Sequence, residues 1–275
     1  MKKLLVGLQL YTIRDMIKTD PAGIIKQVKE MGYDGVELAG FHGVRRAALK
    51  KMLDANGLTV ISAHVAFAQL RKNPEAVVEK YAKMGCRYLS IPWLAHDALP
   101  GGENFLETEA LLHQIGGICK AHGMTLLYHN HEFEFSTLPN GGRILDALYE
   151  RIPADILQTQ IDVCWTKVAG LDPAAYIRKY AGRCPVVHYK DFFKEGAAVD
   201  MYALMGGKGE GKDGKKDGVF EFRPVGLGMQ DFPPIIEATV ESGAQWVIVE
   251  QDASVGRPSL EAARLSREYL KSLGQ

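Results

Sequence analysis

The stretch Leu126-Leu127-Tyr128-His129-Asn130-His131-Glu132-Phe133-Glu134-Phe135 ends an apolar run abruptly in two histidines and two carboxylates. It reads as a buried strand that opens into a polar site. Side chains alternate across a strand, so His129 and His131 share one face while Asn130 takes the other. Two imidazoles at that spacing can look into one cavity. Alone, the stretch is equally a polar turn after a buried strand, its histidines satisfied by neighbours, so the rest of the chain has to decide.

The chain has 275 residues, 47% hydrophobic and 24% charged, which is enough to bury a large core and too ordinary for a disordered or fibrous protein. Lys+Arg and Asp+Glu both number 33, so no net field draws nucleic acid or an anionic membrane, and neither is expected as a partner. Cys86, Cys119, Cys164 and Cys184 stand singly with no CxxC spacing and read as reduced core thiols. Met1-Lys2-Lys3 followed by Leu4 to Leu8 starts like a secretory signal, but Gln9, Tyr11 and Arg14 interrupt it. A cytoplasmic protein is expected.

Outward from the opening stretch, short aliphatic runs alternate with amphipathic ones, separated by Gly, Pro or Asp, the pattern of βα units. Strands are expected at Leu4–Tyr11, Gly35–Leu38, Thr59–His64, Tyr88–Pro92, Met124–His129, Leu157–Asp162, Val186–Lys190 and Trp246–Glu250. Asp20-Pro21, Asn73-Pro74 and Asp172-Pro173 open helices between them, and Gly123 closes the long helix from about Asn104 to His122. The expected fold is therefore α/β, one (β/α)8 TIM barrel over residues 1–275, with an irregular insertion at about 195–222 between the seventh and eighth strands. An open doubly wound sheet is the alternative, against which no GxGxxG follows the first strand. The glycine-lysine tract Gly206 to Gly218 can bury little and should be exposed and mobile; no GK[ST] supports phosphate binding there.

In such barrels the chemistry gathers at the C-terminal ends of the strands. Those ends carry Glu37, His64, Trp93, His129 with His131, Asp162, His188 with Lys190 and Asp191, and Glu250 with Asp252. Carboxylates and imidazoles converging from strands five to eight can hold a divalent cation in a mixed N/O site, and His129, Asp162, His188 and Glu250 are the expected ligands. Any one of them is as readily a loop cap or a satisfied core residue. Their joint occurrence at four consecutive strand ends is harder to obtain by accident.

Gly7-Leu8-Gln9-Leu10-Tyr11-Thr12-Ile13-Arg14-Asp15, Tyr128 to Phe135, Asp162-Val163-Cys164-Trp165, His188-Tyr189-Lys190-Asp191 and Val249-Glu250 together resemble the sugar phosphate isomerase/epimerase family of xylose isomerase-like TIM barrels over nearly the whole chain. The resemblance implies one divalent ion (manganese, cobalt, magnesium or zinc) at the barrel mouth, with Asp162, His188 and Glu250 on the family's ligand positions. The chain departs at strand five, where epimerases of the family place a glutamate and this sequence has His129. Glu134 just downstream is the other candidate there. The HNH subgroup resembles inosose dehydratases and enzymes acting on 3-keto sugars and keto-glycosides.

The expected function is metal-dependent chemistry on a sugar or keto sugar, in which the cation stabilises an enediolate formed by α-proton removal. Glu250 or Glu134 would be the base and His131 an acid. His64 and Lys190 would contact substrate, Lys190 and His131 meeting hydroxyls, and Trp93 and Trp165 would wall sugar faces. An imidazole tied to a cation has no lone pair left for a proton, so a lyase or dehydratase on a keto sugar or keto-glycoside is favoured over a two-base isomerase or epimerase. A non-catalytic sugar-binding barrel and an endonuclease IV-like nuclease are the further alternatives. The partner is a small sugar, and a homo-oligomer is left open.

Overall fold

The computed structural model describes residues 3–196 and 218–275. The strands, in chain order, are β1 Leu5–Gln9, β2 Gly35–Ala39, β3 Thr59–His64, β4 Tyr88–Ile91, β5 Thr125–His129, β6 Leu157–Asp162, β7 Val186–Tyr189, β8 Asp191–Glu195, β9 Val219–Arg223 and β10 Trp246–Val249. Eight of them close a parallel barrel in the order β1-β10-β7-β6-β5-β4-β3-β2, while β8 and β9 form a separate two-stranded sheet. The expected (β/α)8 architecture is the one found.

Helices wrap the barrel, and three start as the Asp/Asn-Pro pairs require. Asp20, Asn73 and Asp172 accept hydrogen bonds from the backbone N–H of Gly23, Ala76 and Ala174, with proline in the first turn. The side chain satisfies an orphan donor and proline fixes φ where no N–H is needed. Among the described residues no helix is long and apolar enough to cross a membrane.

Inside the barrel, Ile61, Tyr88, Leu127, Val186, Trp246 and Ile248 form an apolar plug at the N-terminal end. Gly35 leaves room for it, since a Cβ there would lie 2.5 Å from the Thr59 carbonyl oxygen and 2.8 Å from Ile61 Cδ1. The β2–β3 register shifts between Val36 and Glu37. Ile61 can thus fill the plug while the next residue, Ser62, hydrogen-bonds Glu37 in the layer above. That layer is polar, and the site stands on it.

The segment after Tyr189 departs from expectation. β8 and β9 pair antiparallel from Asp191 with Arg223 to Glu195 with Val219, so the last part of the stretch expected to be irregular is a strand. The reason is the alternation Val219-Phe220-Glu221-Phe222-Arg223, which puts two phenylalanines on one face. They pack with Phe192, Cys164 and Trp165 in a small core of their own. Apart from Gly218, the tract from Gly206 expected to be mobile lies outside the described residues.

Candidate metal and substrate site

The polar layer is built around Glu37, fully buried in the middle of β2. Its Oε1 accepts from Gln9 Nε2 at 2.7 Å and meets His188 Nε2 at 2.7 Å and His64 Nε2 at 3.1 Å. Its Oε2 accepts from Gln160 Nε2 at 2.6 Å and Ser62 Oγ at 2.5 Å. Burial alone would raise this carboxyl, but His64, His188 and the hydrogen bonds outweigh it and hold the pKa at about 2. A permanent anion therefore lies beneath the mouth. Gln160 extends the layer, its Oε1 accepting from Ser90 Oγ at 2.7 Å and lying 2.8 Å from His64 Nε2.

Above it, one ligand atom each from His129, Asp162, His188 and Glu250 lies within 4.8 Å of the other three, and all four residues are buried. The structure thus brings together the four residues expected as ligands. His188 is clamped between Glu37 on Nε2 and Glu250 Oε2, 3.1 Å from Nδ1. Burial works against its protonation, but the two carboxylates dominate and raise its pKa to about 10. Asp162 has two tasks. Its Oδ1 caps the helix Val163–Val168 through Trp165 N–H at 3.0 Å, and its Oδ2 accepts no hydrogen bond, lying 3.3 Å from Lys190 Nζ and 3.8 Å from His129 Nε2. Burial raises its carboxyl, with Lys190 and His188 opposing.

Asn130 takes the outer face, as alternation requires, accepting at 3.0 Å from Asp162 N–H and so tying the end of β5 to that of β6. His129 and His131 stay together, ring centroids 5.4 Å apart. His129 Nδ1 has no hydrogen-bond partner, and burial, with His188 and His64 nearby, holds this imidazole neutral. Burial and Lys190 likewise take half-buried His131 down to about 3. Glu134 lies beneath the same loop, Oε1 accepting from Tyr128 at 2.6 Å and Oε2 from His131 N–H at 2.8 Å. Burial pushes its carboxyl up to about 8 against those bonds. Its hydrogen bonds order the loop.

Lys190 is fully buried, its ammonium 2.8 Å from Glu250, 3.0 Å from Asp252 and 3.3 Å from Asp162. Burial disfavours its charge, but the three carboxylates outweigh that and keep it protonated. Burial would raise Glu250, yet Lys190 and His188 hold it ionised, whereas burial takes neighbouring Asp252 up to about 6. Trp165 is fully buried against Phe222 and His131, with Lys190 Nζ 5.4 Å from its ring centroid. It backs the polar cluster, while Trp93 is 48% exposed on the loop after β4. His64 stacks on His188 at 5.1 Å.

Glu37, Asp252 and Gln160 were not among the chosen site residues. Glu37 and Asp252 stood at strand ends with the rest, and Gln160 had a signal of its own, a polar side chain within a run that should be apolar. Three buried carboxylates (Asp162, Glu250 and Asp252) surround the buried Lys190 ammonium, and a fourth, Glu37, pairs with His188. With an imidazole whose far nitrogen is already fixed by a carboxylate and an Asp162 oxygen that accepts no hydrogen bond, the donor set fits a divalent cation.

An eight-stranded barrel with such a cluster at the C-terminal ends of its strands defines a class of TIM barrels. The chain belongs to the xylose isomerase-like TIM barrel family, which it matches over residues 25–273. It is 26% identical over 272 residues to an inosose dehydratase of Lacticaseibacillus casei, covering 90% of this chain and 87% of that one. In structure it is similar to a sugar phosphate isomerase/epimerase from Parabacteroides distasonis ATCC 8503, with a TM-score of 0.77, 24% identity and 98% of both chains covered. A 3-keto-D-glucoside 4-epimerase from E. coli aligns with a TM-score of 0.68 at 17% identity, over 98% of this chain and all of that one. The resemblance read from the sequence is borne out. At these identities the structural likenesses speak for the fold alone.

Proposed function

We propose that the protein is a metal-dependent lyase acting on a keto sugar or keto-glycoside, removing a proton beside the carbonyl and expelling the oxygen substituent on the next carbon. One observation carries this reading. Asp162, Glu250 and Asp252 gather around Lys190 at the ends of β6, β7 and β10, where His188 joins them, while the ends of β3 and β5 present imidazoles, His64, His129 and His131. Inversion of a carbon asks for a strong base on each face of the substrate, and elimination asks for one base and a donor for the departing oxygen.

His129, Asp162, His188 and Glu250 would hold the cation, which when bound supplies Lewis-acid charge to adjacent substrate oxygens. Manganese, cobalt, zinc or magnesium suits that mixed donor set. Glu250, kept ionised by Lys190 and His188, takes the α-proton. The Lys190 ammonium orients substrate hydroxyls, and His131 guides the leaving oxygen, which departs with a proton as water or an alcohol. The carbon–hydrogen and carbon–oxygen bonds broken are replaced by one carbon–carbon double bond and the new O–H, with no net redox change. Glu134 acts through position, holding the His131 loop. The four cysteines are buried and free of disulfides, in keeping with a cytoplasmic setting.

Incubation with a 3-keto-glycoside tests the reading. Release of the aglycone together with an absorbing unsaturated ketone, abolished by Glu250→Gln, is expected. Inversion of a stereocentre with no elimination product would instead favour the isomerase/epimerase alternative.

A further inference from the structure

A cavity of about 380 Å³ lies between the loops that leave β3 and β4. Phe67 and Ala68 line it from one loop, Trp93 and Leu94 from the other, and Leu111 of the helix Phe105–Ala121 closes the back. The loops that line it leave β3, which ends in His64, and β4, the neighbour of β5, which ends in His129. Its walls begin two residues after His64 and one after Ile91, the last residues of their strands. The cavity wall and the His131 loop are also fastened together. The Leu94 backbone hydrogen-bonds the Tyr128 hydroxyl, which donates to Glu134, whose other oxygen accepts from His131 N–H. The His96 ring lies 4.7 Å from Phe133, in the loop that carries His131.

The lining states the kind of ligand. Trp93, large and apolar, is 48% exposed, while Trp165 and Trp246 are buried. The charged groups at the rim pair among themselves or with a neutral amide: Arg71 with Glu107 at 2.6 Å, and Asp97 accepting from Asn104 at 2.6 Å. No cation of the lining is left over for a phosphate, and the hydroxyls of a second sugar would meet few unengaged polar partners. An indole with aliphatic and phenyl neighbours takes a flat, neutral ring.

We propose that this cavity is the leaving-group subsite and that it receives an aromatic aglycone stacked on Trp93. This rests on the keto-glycoside reading above. It adds that the bond to be broken points from the sugar's seat toward the β3–β4 side, away from the base Glu250. A departing alcohol or phenol oxygen then leaves past His131.

The test compares 3-keto-benzyl glucoside with 3-keto-methyl glucoside, whose leaving alcohols are of nearly equal acidity, on the metal-loaded enzyme, and in parallel measures binding of free 4-nitrophenol by quenching of tryptophan fluorescence. The subsite predicts at least about a tenfold preference in kcat/KM for the benzyl substrate, the size of one good stacking contact, expressed mainly in KM. Trp93→Ala should erase most of that ratio and the quenching, and Ala68→Phe, which fills the cavity while keeping Trp93, should erase the ratio by exclusion. Equal turnover of both substrates, or a preference that survives both variants, overturns the subsite while leaving the lyase reading intact. If neither substrate is eliminated, the lyase reading fails and the binding arm decides: saturable 4-nitrophenol binding lost in both variants upholds an aromatic site, and no binding overturns it.

Discussion

Glu37 Oε1 lies 2.7 Å from His188 Nε2, a contact between residues 151 positions apart that joins the polar layer of the barrel to the candidate ligand cluster. A carboxylate on one ring nitrogen assigns the proton there and turns the other, Nδ1, toward Glu250 and the centre of the cluster. Glu37→Gln keeps the shape and removes the anion. Divalent-ion affinity measured by calorimetry should fall about 10–100-fold, the usual cost of losing such a partner, with the circular dichroism spectrum unchanged. Parental affinity in this variant would mean that Glu37 only fills the polar layer.

The ligand set predicts one divalent ion per chain. Asp162→Ala and His188→Ala should each abolish stoichiometric metal by elemental analysis while leaving the fold in place. Full occupancy in either would remove that residue from the set. Because His188 without an ion holds its proton up to about pH 10, binding at Nδ1 must displace it. Affinity should therefore rise with pH across the neutral range, with a proton released on binding.

Much of this was legible in the sequence because most barrel strands are largely apolar runs that stop at a polar residue. Alternation placed His129 and His131 on one face and Asn130 on the other, as found. Glu37 was visible as a strand end but its part was not: its donors come from β1, β3, β6 and β7, and only closure of the barrel brings Gln9, Ser62, Gln160 and His188 to one carboxylate. The β9 strand was hidden by the glycines and lysines before it, although Phe220 and Phe222 carried the period-two signal. Trp165 was expected to face a sugar, and the same two phenylalanines explain its burial.

Glu134 gives a pH signature away from the ligands. Its carboxyl titrates at about 8 in the folded protein against an ordinary 4.5. A folded pKa above the unfolded one contributes stability that is complete below about pH 4.5 and is lost as pH rises through about 8. Glu134→Gln removes that slope, so parent minus variant stability should decline between pH 5 and 8, by an amount on the order of a few kcal/mol. Parallel curves in urea unfolding would show that Glu134 is ionised in the fold throughout.

Gly35 tests the packing beneath the site. A Cβ there meets the Thr59 carbonyl at 2.5 Å, and backbone cannot give way as a side-chain tip does. Gly35→Ala should cost about 1–3 kcal/mol and lower Tm by several degrees. An unchanged Tm would mean that the β2–β3 spacing adjusts freely.

The central claim is that Glu250 removes an α-proton and that loss of the neighbouring oxygen substituent follows. It is tested most directly by proton NMR of a 3-keto-glycoside incubated with metal-loaded enzyme in D2O. The account predicts disappearance of the α-proton signal with growth of an enone vinyl signal and free aglycone, all absent with Glu250→Gln. Deuterium entering a carbon of inverted configuration with no enone, or elimination that persists in Glu250→Gln, would contradict it.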